Sequence, residues 1–411
     1  MTRTPRTTRT ILDIHILQTV PPSNLNRDDT GSPKSAIYGG VRRARVSSQA
    51  WKRATRTAFD SLLDESELGV RTKKVAEALA GRIAELDPAL PETAAVELAA
   101  ETLRTATGSK IEPPTRRAKN ADAGEQAPAP ESSYLMFLSA HQLGGLAELA
   151  VKGSGGTGDL AALKAFLKIK ENRAEARRLV NSNHSVDIAL FGRMVADAAD
   201  LNVEAATQVA HAISVHPVDI ESDYYTAVDD RNKEDEKGAG MIGVVDFNSA
   251  TLYRYAALDV DRLQRNLGGG LREDEPATQP TRRAVEAFLE AFIASLPTGK
   301  INTFGNHTLP SAVLVKLRTA RPISFVAAFE RPVRQGSEGG FLHGSCQQLA
   351  RYVPQLEKAY GCEDRDHTWL MRIGEDTAPL AELVEEGRAV SLRELVEGVG
   401  DAVAGRLGPS A

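Results

Sequence analysis

The chain has few of the residues that define disulfide-rich, zinc-binding or membrane proteins. Its 411 residues include two cysteines, Cys346 and Cys362, with no further cysteine pair beside them. They predict buried, reduced thiols and neither a disulfide framework nor a zinc site. Apolar runs are short and interrupted by charges, so no membrane span is expected. The start of the chain lacks the apolar region of a signal peptide, and the cytoplasm is the expected compartment.

Signatures of common catalytic sites are also missing. The eight histidines show no HxxxH or HExxH spacing, and neither a GxSxG nor a Walker A stretch occurs. Metalloprotease, hydrolase and nucleotide-cleaving chemistry therefore lack their motifs. Adjacent acids at residues 28–29 and 229–230 lie in polar segments, where aspartate is commonly a turn residue. We expect a protein without enzymatic activity, cofactor or metal.

Charge is abundant but unevenly distributed. The whole chain has a net charge of -5, with 50 basic and 55 acidic residues. The first 60 residues nevertheless contain eleven Lys or Arg and four Asp or Glu. A basic module on an acidic scaffold is typical of a phosphate-binding protein, because counterion release depends on the local groove and not on the net charge.

The basic module is predicted to contain a strand, a loop, a second strand and a helix. Residues 11–17 are rich in β-branched side chains, and Pro21 and Pro22 are expected to end the strand. A polar loop at residues 23–40 leads to an alternating strand at residues 41–46. Ser47 or Ser48 then fits the N-cap of a helix.

This helix is predicted to have a cationic face. Polar side chains recur at i, i+3, i+4 and i+7 (Gln49, Lys52, Arg53, Arg56), opposite an apolar stripe (Trp51, Ala54, Ala58, Leu62). Such a face alone is typical of a solvated helix surface. Its clustering with further polar and basic side chains favours a shared anion site instead: Asn26, Arg27, Lys34, Arg42, Arg43 and Arg45.

The remaining chain predicts a helical insertion and a projecting hairpin. Residues 65–107 have a helical composition broken at residues 87–91, and residues 108–133 are too polar to be ordered, which predicts a mobile loop. The insertion should close near Asn183. Residues 241–258 have strand character, with Tyr253 and Tyr255 on one side and Arg254 on the other.

Tyr224 and Tyr225 allow two interpretations. Paired aromatics are more often core residues, and their spacing alone favours that reading. A hydrophilic segment directly follows them, however, and favours a surface loop on which an aromatic can stack against a base.

Several motifs in a fixed order carry a family resemblance. They are SNLNRDD at residues 23–29, AIYGGVRRARVSSQAWKRA at 36–54, VDIALFGRM at 186–194, HAI at 211–213, YTAVDD at 225–230, YRYA at 253–256 and NLGG at 266–269. Together they resemble the backbone subunit of type I-E CRISPR surveillance complexes (Cascade), the CasC family of the RAMP superfamily. The resemblance spans residues 11 to about 270; residues 108–133 and much of the tail depart from it.

The resemblance implies an α+β fold shaped like a right hand. A modified RRM (ferredoxin-like) palm would comprise residues 1–59, 184–215 and 246–360, with helical fingers at 60–183. A thumb hairpin would lie at 216–245, and a C-terminal helical region at 361–411. The implied partners are a guide RNA (crRNA), target DNA, further copies of the chain stacked head to tail, and other Cascade subunits.

The resemblance also implies roles for individual residues. Contacts to the guide backbone would come from Asn26, Arg27, Lys34, Ser47, Gln49, Lys52 and Arg53. The base at each subunit junction would meet Met194, Tyr225, Thr226 and Val228. Such a protein holds phosphates and leaves base edges free, so the guide reads the target.

Two other functions stay open at this point. Related backbone subunits of type III complexes cleave RNA with a loop aspartate and a metal ion, for which Asp28 or Asp29 would be the candidate here. A general single-stranded RNA-binding protein is a third reading. The type I-E motifs favour the non-catalytic scaffold.

Overall fold

The computed structural model describes residues 9–114, 129–195, 198–227, 241–268, 275–337, 339–362 and 367–407. The chain divides into two compact units. The sheet unit comprises Met1–Phe59, Thr207–Val260 and Val285–Ala411, and the helical unit comprises Asp60–Ala206 and Asp261–Ala284. In the described ranges, no helix has the length and apolar character needed to cross a membrane.

The strands and helices alternate irregularly along the chain. The strands are β1 Ile11–Ser23, β2 Ser35–Tyr38, β3 Val41–Val46, β4 Gly69–Thr72, β5 Ile111–Glu112, β6 Glu131–Ser132, β7 Met136–Ser139, β8 Thr207–Val209, β9 Ala212–Ser214, β10 Glu221–Ala227, β11 Met241–Asp259, β12 Ala312–Arg318 and β13 Thr368–Arg372. The helices are α1 Ser48–Ala58, α2 Val75–Leu86, α3 Glu92–Thr107, α4 Ala140–Gly153, α5 Leu160–Lys168, α6 Lys170–Leu179, α7 Val186–Phe191, α8 Val260–Leu267, α9 Gln279–Ala294, α10 Ile301–Phe304, α11 Leu342–Tyr360 and α12 Leu392–Leu407.

Strand β1 lies at the centre of the sheet unit. The strand order is β13-β12-β1-β11-β9-β3-β2, and β8 and β10 also pair with β11. β1 is antiparallel to β11 from Ile11↔Asp259 to Val20↔Ala250, and antiparallel to β12 on its other edge. The predicted α+β class, with a large antiparallel sheet, is confirmed.

The end of β1 differs from the prediction. The strand continues through Pro21 and Pro22 to Ser23, with a shift of register between Val20 and Ser23. Proline lacks the N–H that a regular ladder requires, but an irregularity in the pairing accommodates it. The prolines therefore interrupt the ladder without ending the strand.

The two faces of β11 pack against different cores, as its alternation predicts. Tyr253 and Tyr255 join a core formed with α11 and residues 323–333. Arg254 points to the opposite face, where its guanidinium carbon lies 3.8 Å from the ring centroid of Trp51 and 4.8 Å from that of Phe292. Its Nη1 donates to Gln18 Oε1 at 2.7 Å. Burial lowers the pKa of Arg254 to about 9, so the group remains charged at neutral pH.

The helical unit has its own core, built from apolar side chains of α2 to α6. The break predicted at residues 87–91 is confirmed, because α2 ends at Leu86 and α3 begins at Glu92. The ends of the segment predicted as a mobile loop are paired as β5 and β6. Residues 115–128 of that segment lie outside the described residues.

The unit boundaries differ from the predicted domain boundaries. Residues 184–206, assigned to the palm from the sequence, cluster with the helical unit. Buried Arg193 explains this grouping, since its guanidinium donates to Val180 O at 2.8 Å and to Phe137 O at 3.3 Å. The C-terminal region also contains a strand, because β13 pairs with β12 at the edge of the main sheet. The division into palm, fingers and thumb stays a prediction.

Two smaller features refine the sequence analysis. Both cysteines are free thiols, but only Cys346 is buried, and Cys362 is half-buried; burial raises the pKa of Cys346 to about 12. The glycines at 153, 155 and 158 have GxGxxG spacing. Gly153 is the last residue of helix α4, and the other two follow that helix and not a strand, so the context of a dinucleotide site is absent in this part of the described chain.

Candidate nucleic-acid interface

The side-chain amides of two asparagines hold the loop at residues 24–34 in its conformation. Asn24 Nδ2 donates to Gly31 O at 2.9 Å and to Asp246 O at 2.8 Å. Asn26 Oδ1 accepts the N–H of Ser47 at 2.9 Å. These bonds join the loop to the root of the β10–β11 hairpin and to the start of α1. Asn26 therefore positions the loop whether or not it also contacts a ligand.

Asp28 is engaged within this loop. Its Oδ1 accepts hydrogen bonds from Thr30 N (3.0 Å), Thr30 Oγ1 (2.7 Å) and Ser32 N (3.0 Å). The hydroxyl of Thr30, with the backbone N–H groups, holds the pKa of the exposed carboxyl below its ordinary value. This is the hydrogen-bonding pattern of an aspartate that builds a turn. Among the described residues, no group of three or more His, Cys, Asp or Glu could hold a metal ion.

Helix α1 begins as predicted. Ser47 is the N-cap, and its hydroxyl accepts from Ala50 N at 3.4 Å. Trp51, Thr55 and Phe59 face inward, whereas Gln49, Arg53 and Thr57 are exposed on the opposite side.

The predicted division of the α1 faces is partly wrong. Ala54 and Ala58 line an open cleft and not the core, because the buried side follows i, i+4, i+8 from Trp51. Lys52 and Arg56 are half-buried at the flank of the helix and are not part of the cleft lining. Burial lowers the pKa of Lys52.

The cleft in front of α1 has a volume of about 1360 Å³. It is lined by the loop, by the exposed face of α1 and by a turn before α10: Leu25, Asn26, Arg27, Asp28, Asp29, Thr30, Gly31, Lys34, Ser47, Gln49, Ala50, Arg53, Ala54, Thr57, Ala58, Ser295, Leu296, Pro297, Thr298, Gly299 and Lys300. A cavity of about 270 Å³ shares Arg27 and Lys300 with it and extends to Val244, Val245 and Asp246 at the hairpin root. We call the two together the guide groove, after the guide RNA that the sequence resemblance implies.

Six of the predicted contact residues meet in the guide groove, namely Asn26, Arg27, Lys34, Ser47, Gln49 and Arg53. Lys300 was missed by the sequence analysis. A Cβ at Gly299 would lie 2.5 Å from Asn24 O and closer still to Leu25 O. The turn therefore presses against the loop and brings Lys300 beside Arg27. The only sequence signal was the Pro297-Thr298-Gly299 turn pattern before a lysine.

The arginines of β3 do not act as one cluster. Arg42 is exposed, but Arg43 is 0% exposed. Its guanidinium donates to Ser214 O at 3.0 Å and to Phe329 O at 2.9 Å, so the prediction that it contacts RNA is wrong. Arg45 is half-buried, with Nε donating to Ser35 O at 3.2 Å and Nη1 lying 3.0 Å from His211 Nδ1.

The predicted hairpin is present as β10 paired with the outer part of β11. Tyr225 lies opposite Gly243, and a Cβ at Gly243 would collide with the Tyr225 ring. The glycine thus makes room for the ring to lie across the hairpin. Tyr224 is 73% exposed and Tyr225 44%, which rules out the core interpretation for both. Thr226 is exposed on the same strand.

Two further predicted residues lie elsewhere. Val228 lies outside the described residues. Met194 belongs to the helical unit and is 84% exposed.

A histidine fastens the hairpin root. His216 Nε2 accepts the N–H of Thr251 at 3.1 Å, and Nδ1 lies 2.8 Å from Pro217 O. Its ring stacks on Phe341 with centroids 3.6 Å apart. Burial lowers the pKa of His216, so the neutral ring keeps its acceptor. His216 thus accepts the backbone N–H of Thr251 in the way that a neighbouring strand would, at the point where β11 leaves the core.

Comparison with known proteins identifies the family. The family model for "CT1975-like protein" matches residues 12–398. The chain belongs to this family. The resemblance given by the sequence motifs is confirmed at this level, and no curated protein matches the chain.

Two solved structures are similar to this CT1975-like chain over almost its whole length. A chain described as "CRISPR RNA-guided surveillance complex, pre-nicking" is 32% identical with a TM-score of 0.75, covering 96% of this chain and 100% of that one. A chain described as "CRISPR RNA-guided surveillance complex" is 30% identical with a TM-score of 0.67, covering 95% and 99%.

Gly299→Ala should destabilise this CT1975-like protein, because the new Cβ has no space against the backbone of Asn24 and Leu25. Overpacking of this kind costs about 1–3 kcal/mol. Gly405→Ala is the control, since nothing lies within 4 Å of a Cβ there. Denaturant unfolding of both variants measures the difference, and equal stabilities would show that the turn does not press on the loop.

Proposed function

We propose that this chain is a guide-RNA-binding backbone subunit of a CRISPR RNA-guided surveillance complex of the Cascade type. The guide groove carries the proposal. It brings Arg27, Lys34, Arg53 and Lys300 together with the N-terminal end of α1. Cations, amides and a helix N-terminus are the groups that hold a phosphate backbone.

The composition of the groove explains how a guide can be held and still be read. Cationic and small polar side chains contact phosphates and carry no base information. The base edges are then free to pair with a target, so that the guide supplies the sequence specificity. The proposed partners are accordingly crRNA, target DNA and other Cascade subunits, and the proposed compartment is the cytoplasm.

The exposed hairpin supports assembly of several copies along the guide. An exposed two-stranded hairpin with Tyr224, Tyr225 and Val244 at its surface is marginal as an isolated element. A neighbouring copy and its RNA would cover it. Contacts between different surfaces of identical subunits extend a filament until other subunits cap its ends.

We further propose that the chain has no nuclease activity of its own. Asp28 is occupied by three hydrogen bonds of the loop. A carboxylate used in this way has less freedom to bind a catalytic metal ion.

Neutralising two groove cations should weaken guide binding equally for all spacer sequences. In Arg53→Gln combined with Lys300→Gln, two phosphate contacts are lost, so the slope of log K against log salt should flatten by about 1 to 2. Arg351→Gln combined with Lys358→Gln, two exposed positions of α11, is the control. An unchanged salt slope in the groove variant would show that Arg53 and Lys300 do not contact the phosphates of the guide.

The hairpin should displace one base at each subunit junction. Tyr225 and Val228, with Met194 of an adjoining copy, would act as an apolar wedge, and contact with the displaced nucleotide would offset the cost of unstacking. Displaced bases are not read, so mismatches should be tolerated periodically along the target. Target affinity measured with single mismatches at every position tests this. If the loss of affinity shows no periodic dependence on the position of the mismatch, the wedge model is wrong. The model is also wrong if complexes with Tyr225→Ala assemble normally.

The assembled complex should leave matched RNA and single-stranded DNA intact in Mg²⁺ or Mn²⁺. Gel analysis of labelled targets measures this directly. Cleavage that disappears in Asp28→Ala or Asp29→Ala would instead establish the metal-dependent endonuclease considered from the sequence.

A further inference from the structure

A small surface of the helical unit combines exposed cations with exposed apolar side chains. Tyr134 and Leu135 are 51% and 50% exposed, directly before the buried strand β7. Lys73 and Lys110 are exposed beside them. We call these four residues the Tyr134 platform.

Hydrogen bonds hold the backbone of Lys73 and of Lys110 against the bend that carries Tyr134. Ser132 N donates to Lys73 O at 2.9 Å, and Ser133 N donates to Lys110 O at 3.3 Å. Ser132 Oγ also donates to Tyr134 O at 2.6 Å. The bend at residues 132–134 is therefore bonded to the backbone of both lysines, and the Ser132 hydroxyl holds the backbone carbonyl of Tyr134.

The two lysines differ from an ordinary surface lysine of the same segment. Lys74 lies 3.1 Å from Glu77 in an ion pair. Within the described part of the chain, neither Lys73 nor Lys110 makes such a pair. Glu112 and Glu131 pair in the adjoining β5–β6 ladder, but within the described ranges neither forms an ion pair with these lysines. Two exposed lysines on the segments bonded to residues 132 and 133 attract phosphates, and the exposed ring of Tyr134 offers a stacking surface for a base.

We propose that the Tyr134 platform binds single-stranded nucleic acid, with a base stacked on Tyr134 and phosphates on Lys73 and Lys110. A stable protein interface buries about 800 Å² on each partner, far more than four side chains provide, whereas one stacked nucleotide needs only a ring and adjacent charge. The platform lies in the helical unit, and none of its four residues lines the guide groove. The proposal stands whether or not the groove binds a guide.

The test uses the full-length chain carrying Arg53→Gln and Lys300→Gln, which weakens groove binding and makes the contribution of the platform easier to measure. Fluorescence anisotropy measures its affinity for labelled dT15 and U15 oligonucleotides across a salt series. Tyr134→Ala should weaken binding about fivefold or more, and Tyr134→Phe should restore it because the ring is kept. Lys73→Gln combined with Lys110→Gln should flatten the salt slope by about 1.4. Binding of only one oligonucleotide would identify DNA or RNA as the ligand.

Tyr360→Ala combined with Lys358→Gln is the matched control, because it removes an exposed tyrosine and an exposed lysine from α11. Circular dichroism checks that each variant folds. The proposal is overturned if the platform variants bind the oligonucleotides as tightly as their parent does. The same holds if they lose no more affinity than the control variant loses. It is also overturned if oligonucleotide binding is unchanged but the variants lose another subunit of the purified complex, since the surface then binds protein.

Discussion

The pairing of β11 with β1 is the constraint on which the rest of the structure depends. β11 is one continuous strand of 19 residues. Residues 250–259 pair with β1 in the core, and residues 241–247 pair with β10 outside it. A strand rises about 3.4 Å per residue in antiparallel pairing, so these outer seven residues extend about 24 Å. The register set inside the sheet therefore fixes where the exposed tyrosines of the hairpin lie.

The guide groove follows from the same constraint. Asn24 ties the loop to Asp246 on β11, and Asn26 ties it to the cap of α1. The root of the hairpin, the loop and the helix are thus joined by direct hydrogen bonds. On the buried side of α1, Trp51 packs against the guanidinium of Arg254, which also belongs to β11. A ligand in the groove consequently contacts a loop and a helix that are both tied to β11.

Local patterns in the sequence predicted much of this arrangement. The alternation of Tyr253, Arg254 and Tyr255, the cap at Ser47 and the exposed face around Arg53 depend on neighbouring residues, and the structure contains each of them. Other features depend on distant parts of the chain. Arg43 is buried because residues 329–330 supply carbonyl oxygens to its guanidinium, and Lys300 reaches the groove only because Gly299 packs on Asn24 and Leu25. No local pattern encodes such contacts between residues more than 250 positions apart.

Photocrosslinking of co-purified RNA tests the central claim most directly. The chain is purified with its bound RNA, irradiated and digested, and the crosslinked peptides and RNA sequences are both identified. The account predicts repeat-derived guide RNAs crosslinked to peptides that contain residues 24–34, 47–58 and 295–300. RNA of random sequence, or guide RNA crosslinked only to peptides outside the groove and hairpin, would contradict it.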